Sequence, residues 1–274
     1  MKSFLVGLQF LTRLRLDTQT EWKDEDFGKS VTWFPVIGWI IGLLLCGVFF
    51  LIRPLGSPLL IGFILVISEL FITGALLLDG LMDSADGLFS GRSKERSLEI
   101  MKDSHVGAFG VLSVLLIVLL KTFALASVDT ALYFVLIAMP TLGRLNLVIS
   151  ICEYPYARPY GIGKSFSAYR SKNVVFYAFF TAILPAVCFG LDYIILFSAA
   201  ILFGLYLNSW IVEKIGGTTG DTYGFITEIT EAFIAFLFVL LVKGGAWHIY
   251  ISRIMRRVYS GVCEWILLYG DLPD

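Results

Sequence analysis

Long apolar runs separated by polar segments dominate the chain from residue 33 onward. A helix needs about 20 predominantly apolar residues to cross a bilayer. Runs of this kind lie at 33–52, 59–78, 106–127, 131–151, 174–191, 193–212 and 225–243. The pattern predicts an all-α fold, a polytopic transmembrane helix bundle of about seven spans. The boundary between the fifth and sixth spans is the least distinct, because only residues 190–192 separate them.

Amphipathic segments flank the spans at both ends of the chain. Residues 3–16 carry leucines and phenylalanines at helical spacing, and residues 246–269 repeat aromatic and aliphatic side chains every three or four positions. Both segments predict helices that lie in the membrane interface. We therefore expect one membrane-embedded catalytic domain over residues 1–245 and an amphipathic tail over 246–274.

Composition agrees with a membrane protein. The chain is 57% hydrophobic and 16% charged, whereas a soluble domain is nearer 45–50% apolar and about 25% charged. The formal net charge of −1 gives no reason to expect a nucleic-acid partner. The four cysteines are scattered without a Cys-x-x-Cys or Cys/His cluster, so neither a disulfide framework nor a zinc site is expected.

Basic residues are concentrated in alternate polar segments. Segments 1–30, 79–105, 152–172 and 213–224 hold most of the 21 Lys and Arg residues, whereas the opposite short loops hold only Arg53. This bias predicts that the N-terminus and the long loops lie in the cytoplasm. The arginines of the C-terminal segment run against it. Because every long polar loop lies on one side, we expect an enzyme of the cytoplasmic (inner) membrane whose active site faces the cytoplasm.

Three aspartates follow the second apolar run at positions i, i+4 and i+7, namely Asp79, Asp83 and Asp86. On a helix these offsets place the carboxylates within about 60° of one another. Like charges repel, so a stripe of oxygen ligands without histidine favours a hard divalent ion such as Mg²⁺. Asp103, just before the third run, is placed to face this stripe as a fourth ligand.

Plainer interpretations of these aspartates stay open. The stripe can be a solvated helix end just outside the membrane, and Asp103 can be an acidic residue placed favourably at a helix N-terminus. Glu69 lies ten residues before Asp79, or about 15 Å deeper along a helix. An intramembrane carboxylate is a candidate functional residue. Alternatively, Glu69 is structural and pairs with Arg144 or another polar group.

Two later loops carry groups suited to phosphate. Residues 154–165 contain Arg158, which can bind a phosphate through two nitrogens, and Lys164, which adds a point charge. We expect Arg144 and Lys102 to face the same surface. The tyrosines of this segment can stack on a substrate ring, or can simply be interfacial residues.

The segment 216–222 is rich in glycine and precedes the last span. Such backbone at a helix start can bind an anion or a nucleotide, although Asp221 favours a metal, a ribose or an amine instead. A simple capped turn is the alternative. His105, two residues after Asp103, is a weaker candidate for phosphate contact.

Several of these motifs together resemble one known family, the adenosylcobinamide-GDP ribazoletransferases, also called cobalamin synthases. The motifs that carry the resemblance are Phe10-Leu11-Thr12-Arg13, Phe34-Pro35 with Gly38 and Gly42, residues 78–88, residues 98–104 with Gly107-Ala108-Phe109-Gly110, Gly143-Arg144, Tyr156-Ala157-Arg158-Pro159, and Gly216-Gly217 with Thr219-Gly220-Asp221. The resemblance extends to about residue 243. One departure is Leu77, at a position where the family usually has histidine.

The resemblance implies a Mg²⁺-dependent inner-membrane enzyme of a late step in cobalamin biosynthesis. It would join adenosylcobinamide-GDP to α-ribazole or its 5′-phosphate and release GMP. On this hypothesis Asp79, Asp83, Asp86 and Asp103 hold Mg²⁺ against the diphosphate. Asp103, or as second choice Asp83, accepts the proton of the ribose hydroxyl. A homo-oligomer in the lipid bilayer is compatible with this pattern.

Two rival functions remain at this point. A CDP-alcohol phosphatidyltransferase-like phospholipid enzyme also places paired aspartates at a membrane face, but its Asp-x-x-Asp-Gly-x-x-Ala-Arg order is absent here. A cation transporter is the rival from another class, and Glu69 is its best support. The chain shows no internal repeat, which counts against a transporter.

Overall fold

The computed structural model describes residues 2–15, 22–128 and 131–243. Within these ranges the structure is helical, with a single isolated β-bridge. The helices are α1 Lys2–Leu11, α2 Asp24–Ser30, α3 Phe34–Ile52, α4 Pro58–Thr73, α5 Leu76–Leu88, α6 Lys94–Ile100, α7 Ala108–Ala126, α8 Leu132–Glu153, α9 Ile162–Ala168, α10 Val174–Ile183, α11 Ala186–Phe189, α12 Leu191–Ile215 and α13 Gly220–Lys243.

The predicted all-α membrane bundle is confirmed. Within the described ranges, five helical segments are long and apolar enough to cross a bilayer: Asp24–Leu55, Ala108–Ala126, Leu132–Glu153, Leu191–Ile215 and Gly220–Val242. The bent pair of α4 and α5 makes up to six. The predicted count of about seven is roughly consistent with this. The run at 174–191 differs, because it breaks at Leu184-Pro185 into the short helices α10 and α11.

The second predicted span ends earlier than the hydrophobic pattern indicates. Gly74 and Ala75 both adopt the left-handed backbone conformation, with φ of 69° and 57°, and α5 turns by 96° relative to α4. Glycine adopts this conformation readily, whereas for alanine it is uncommon. Helix α5 therefore lies almost perpendicular to α4 and does not continue it as one straight span, and the three aspartates belong to this second arm of the bent pair.

Helix α8 is the centre of the bundle, since its side chains are buried almost without interruption from Leu132 to Cys152. Its neighbour α3 approaches closely through two glycines. A Cβ added at Gly38 would lie 2.5 Å from the Pro140 carbonyl oxygen, and one at Gly42 would lie 2.7 Å from the Leu136 carbonyl oxygen. Small residues of this kind let transmembrane helices pack backbone against backbone.

The two predicted interfacial helices have different outcomes. The N-terminal one is α1, which ends at Leu11 rather than near residue 16. Its side chains Leu8 and Leu11 are buried in the same core as Phe34, so this helix packs against the bundle. The predicted interfacial helix at 246–269 lies outside the described residues.

Candidate active site

Helix α5 carries the three aspartates beside the first turn of α13. Its buried face includes Leu78, Gly80 and Leu81, which leaves Asp79 exposed and Asp83 partly exposed. Close crossing with α13 depends on glycine, because a Cβ added at Gly80 would lie 2.8 Å from the Asp221 carbonyl oxygen. The glycine between the aspartates therefore lets α5 reach α13.

Asp86 caps the neighbouring helix α7. Its Oδ2 accepts a hydrogen bond from the Gly107 amide at 2.7 Å, and its Oδ1 accepts one from the Gly110 amide at 2.8 Å. The first amides of a helix lack partners within that helix, and their positive end favours a carboxylate. Helix α7 begins at Ala108, so the aspartate at its N-terminus is Asp86 rather than Asp103.

Asp83 experiences the strongest electrostatic effect at the site. Burial, together with the nearby negative charges of Asp79, Asp221 and Asp86, raises the pKa of Asp83 from 3.8 to about 6. The positive charge of Arg158 acts in the opposite direction. Four carboxylates therefore share one small region without enough positive charge to balance them, and such a region attracts cations.

Arg158 joins two loops that are far apart in the sequence. Its Nη2 donates to Asp221 Oδ2 at 2.6 Å. The same two loops pair through their backbones, since the Ala157 amide donates to the Thr218 carbonyl and the Thr218 amide donates to the Pro155 carbonyl, both at 2.8 Å. The predicted phosphate loop and the predicted glycine-rich loop thus form one unit around Arg158.

The start of α13 is a capped turn, as one of the two interpretations of this segment expected. The Thr219 amide donates to Thr222 Oγ1 at 2.7 Å, and the Thr222 amide donates to Thr219 Oγ1 at 3.2 Å. Asp221 lies within this turn and projects to Arg158. Capping and a functional role for Asp221 are therefore compatible.

Asp103 lies in an exposed turn before α7. Its Oδ1 lies 2.6 Å from the His105 Nδ1 and accepts a hydrogen bond from the His105 amide at 3.0 Å. These hydrogen bonds lower the pKa of Asp103. The charged groups that act most strongly on Asp83 are those of the stripe, Asp221 and Arg158, and Asp103 is not among them.

Two predicted lysines lie at the rim of the site. Lys102 Nζ lies 5.2 Å from the centroid of the Tyr160 ring, which brings the turn before α7 against the loop that carries Arg158. Lys164 Nζ donates to the Pro159 carbonyl at 2.6 Å. Both side chains are exposed, so both remain accessible to an anion.

Arg144 does not reach this surface. Its side chain is fully buried in α8, where its Nη1 forms an ion pair with Glu231 of α13. The expectation that Arg144 faces the phosphate-binding loops is therefore corrected. The apolar run at 131–151 did not reveal that Arg144 is buried, because the exposure of a side chain on one helix depends on which other helices pack around it.

Glu69 belongs to the same buried charge network. Lys121 Nζ donates to Glu69 Oε2 at 3.2 Å, to Glu228 Oε2 at 2.8 Å and to Glu231 Oε2 at 2.5 Å. Glu69 was expected to pair with Arg144 or with another polar group. The structure shows that its partner is Lys121. Lys121, Glu228 and Glu231 were not predicted as interacting residues from the sequence. Their position as charged residues inside apolar runs could have indicated a buried charge network.

The carboxylates around Asp83 form an incomplete set of metal ligands. In the described ranges, no three acidic, histidine or cysteine side chains lie close enough together to hold one by themselves. Mg²⁺ in phosphate-transfer sites is commonly bound by one or two carboxylates, with substrate phosphates and waters completing the shell. The donor chemistry around Asp83 fits that kind of incomplete site, since Asp79 and Asp221 are the acidic groups whose charges act on it most strongly.

A cavity of about 160 Å³ opens beside the carboxylates. One part of its lining consists of Phe10, Phe34, Leu147 and Phe166, and its polar part includes Asp79 and Asp221. Helices α1, α3, α5, α8, α9 and α13 all contribute to it. The cavity therefore connects an apolar compartment with the acidic end of α5.

Comparison with known proteins places the chain in a family. The model described as Cobalamin-5-phosphate synthase matches residues 3–240. Relatives named adenosylcobinamide-GDP ribazoletransferase include one from Fusobacterium nucleatum subsp. nucleatum, 35% identical over 88% of this chain and 98% of its own. Another, from Brevibacillus brevis, is 36% identical over 90% and 99%. A third, from Alkaliphilus metalliredigens, is 37% identical over 89% and 97%. No solved structure matches the chain.

Proposed function

The chain belongs to the cobalamin-5-phosphate synthase family, and from that premise we propose that it is an adenosylcobinamide-GDP ribazoletransferase. It joins adenosylcobinamide-GDP to α-ribazole, or to α-ribazole 5′-phosphate, and releases GMP in a late step of cobalamin biosynthesis. The observation that carries this proposal is the match over residues 3–240, which includes the three segments that meet around Arg158 and Asp83.

The proposed reaction takes place at the cytoplasmic face of the inner membrane. The segments that carry α5, Arg158 and the first turn of α13 meet at one end of the bundle. Together with residues 1–30, the polar segments 79–105, 152–172 and 213–224 hold 14 of the 21 Lys and Arg residues, which is the pattern of cytoplasmic loops.

Magnesium is the proposed cofactor, held by carboxylates of the Asp79, Asp83, Asp86 and Asp103 set. Asp79 and Asp83 are the best placed, because the negative field around Asp83 is uncompensated and Asp86 uses both oxygens to cap α7. When bound, Mg²⁺ neutralises charge on a diphosphate and on the GMP leaving group. Asp103 is exposed and bonded to His105, which makes it the least supported member of the set.

Proton transfer is assigned to a carboxylate of this chain. The attacking ribose hydroxyl loses its proton as its oxygen bonds to the phosphorus next to the aminopropanol arm, while the bond from that phosphorus to GMP breaks. A general base works best when its pKa is near the working pH. The pKa of Asp83 is raised to about 6, whereas that of Asp103 is lowered, so Asp83 is the better candidate of the two for an unligated base, which leaves Asp79 to bind the ion.

Phosphate binding is assigned to exposed or partly exposed basic groups at the same end of the bundle. Arg158, which donates to Asp221 through Nη2, would contact the diphosphate through Nη1, while its Nε is buried and has no hydrogen-bond partner in the structure. Lys102 and Lys164 add positive charge at the rim, where a lysine acts as a point charge rather than a bidentate ligand.

The test is GMP release by purified protein in detergent or liposomes. Wild-type protein with adenosylcobinamide-GDP, α-ribazole and Mg²⁺ should release GMP, and Asp79→Asn should lose most of that activity while retaining its Tm. CDP-diacylglycerol with an alcohol acceptor serves as the control donor and should give no turnover. Turnover of CDP-diacylglycerol, or of neither donor, would reject the assignment. Full activity of Asp79→Asn would reject the metal site alone.

A further inference from the structure

We propose that the cavity beside Asp79 and Asp221 binds the aromatic base of the acceptor nucleoside. This inference rests on the proposed function, and it specifies which part of which substrate enters the molecule at this point. The cavity measures about 160 Å³ and lies between α1, α3, α8 and α9 on one side and α5 and α13 on the other.

The size of the cavity selects a single ring system. An engineered apolar cavity of about 150 Å³ is large enough to bind benzene, so this cavity admits one small planar aromatic group and its open side accommodates the rest of the ligand. The corrin macrocycle of the donor is far too large. The candidates that remain are the benzimidazole of α-ribazole and the two purines of the donor, of which the guanine lies next to the reacting diphosphate and the adenine is held on the bulky corrin.

The chemistry of the walls favours the benzimidazole. Phe10, Phe34, Phe166 and Leu147 offer apolar contact but no hydrogen bonds from their side chains. Phe166 packs edge-on against Phe10 and Phe34, with ring centroids 5.1 and 5.7 Å apart, so the wall is a preformed aromatic cluster. Asp79 and Asp221 can accept hydrogen bonds from the N–H groups of guanine, but its acceptors O6 and N7 would find no donor among these phenylalanines, leucine and carboxylates, which is costly. A dimethylated benzimidazole has two methyl groups and few polar atoms.

The polar rim determines which way the nucleoside points. Asp79 and Asp221 line the same cavity as the phenylalanines. Carboxylates repel phosphate but accept hydrogen bonds from hydroxyl groups. A nucleoside whose base lies among the phenylalanines would therefore direct its ribose hydroxyls toward the acidic end of α5. That orientation brings a ribose hydroxyl toward Asp83, the proposed base.

The experiment measures acceptor and donor kinetics separately in cavity variants. Ile162 lines the cavity from α9 and is 40% exposed, so Ile162→Trp adds bulk at the cavity with little risk to folding. We expect this variant to raise KM for α-ribazole about tenfold or more and to change KM for adenosylcobinamide-GDP less than about twofold. Ala168→Trp, at an exposed position of the same helix outside the lining, is the matched control and should change neither.

A second variant and a direct binding measurement keep the proposal testable if Ile162→Trp does not fold. Leu147→Ala enlarges the cavity and removes apolar contact from its wall. This variant should also raise KM for α-ribazole while leaving KM for the donor unchanged. Calorimetry with 5,6-dimethylbenzimidazole, without donor, should detect binding to wild type and to Ala168→Trp, and at least tenfold weaker binding to Ile162→Trp.

The outcomes separate this inference from the proposed function. If the wild type releases GMP and Ile162→Trp or Leu147→Ala raises KM for the donor instead, the cavity is a guanine site and the inference is wrong. Unchanged kinetics in both folded variants would also overturn it. If the wild type releases no GMP from any donor while the free base still binds in the cavity, the proposed function fails but the aromatic site stands.

Discussion

The guanidinium of Arg158 donates to the carboxylate of Asp221 across 2.6 Å, and this contact joins the loop after α8 to the first turn of α13. Both side chains are largely buried, with 12% and 22% of their surfaces exposed. Arg158 also opposes the negative field at Asp83. The ion pair therefore holds the two loops together, and Arg158 supplies positive charge beside the carboxylates of α5.

Disrupting this pair should reduce activity without unfolding the protein. We expect Arg158→Gln and Asp221→Asn each to lower kcat/KM for GMP release at least tenfold. The double variant should be within about threefold of the weaker single variant, because groups that act as a unit are not additive. Arg96→Gln, which removes an exposed pair with Glu99, is the control and should stay near wild type. Additive losses would show that the two residues act independently.

The raised pKa of Asp83 predicts opposite effects of pH on stability and activity. The folded protein binds this proton more readily than the unfolded chain, so in the absence of Mg²⁺ the unfolding free energy should fall as pH rises from 3.8 to about 6. Activity should rise over the same range, since an ionised Asp83 is required as base or ligand. Rates of GMP release and Tm across pH measure both.

Magnesium should shift this pH dependence. A bound cation favours the ionised carboxylate, so the midpoint of the pH–rate profile should move below about 6 as the Mg²⁺ concentration increases. Asp83→Asn should reduce the pH dependence of stability in this range. A midpoint that does not respond to Mg²⁺ would argue that the ion is not near Asp83.

Asp86 should contribute mainly to stability. Replacing it with alanine leaves the amides of Gly107 and Gly110 without their partner, and loss of a helix cap costs about 0.5–2 kcal/mol. We expect Asp86→Ala to lower Tm by several degrees, measured in detergent. If Asp86 also binds Mg²⁺, Asp86→Ala will in addition need a higher concentration of Mg²⁺ for half-maximal activity. An unchanged Mg²⁺ requirement would show that Asp86 only caps α7.

Lys121 should be essential for the folded bundle. It contacts three buried carboxylates, so Lys121→Met leaves Glu69, Glu228 and Glu231 without their shared cation. Breaking a buried ion pair by removing one partner costs about 3–5 kcal/mol. We expect little folded protein, as measured by size-exclusion chromatography and thermal unfolding. The double variant with Glu228→Gln should recover part of the yield, and failure to do so would contradict a charge-based explanation.

Gly224 should be required for the contact between α5 and α13. A Cβ at this position would overlap the Leu77 carbonyl oxygen, so Gly224→Ala should push α5 away and lower GMP release more than tenfold. Gly47→Ala is the matched control, because a Cβ there meets no atom within 4 Å. The control should keep full activity and gain slightly in Tm, since alanine favours the helix over glycine. Equal effects of both changes would exclude a packing explanation.

Much of the architecture and part of the site follow from the sequence alone. Hydrophobic run length predicted the membrane bundle, because a helix pairs its own backbone polar groups and about 20 apolar residues of helix span the hydrocarbon core of a bilayer. Helical periodicity placed Asp79, Asp83 and Asp86 on one helix.

The tertiary structure decided which of these groups meet. Run length could not reveal the turn at Gly74-Ala75, because local backbone conformation leaves no trace in hydrophobicity. It could not distinguish Arg144, buried against Glu231, from Arg158, which lies beside Asp221, since both are arginines near the end of an apolar run. Nor could it assign the cap of α7 to Asp86. Sequence spacing determines neighbours within one helix, whereas contacts between helices depend on how their faces pack.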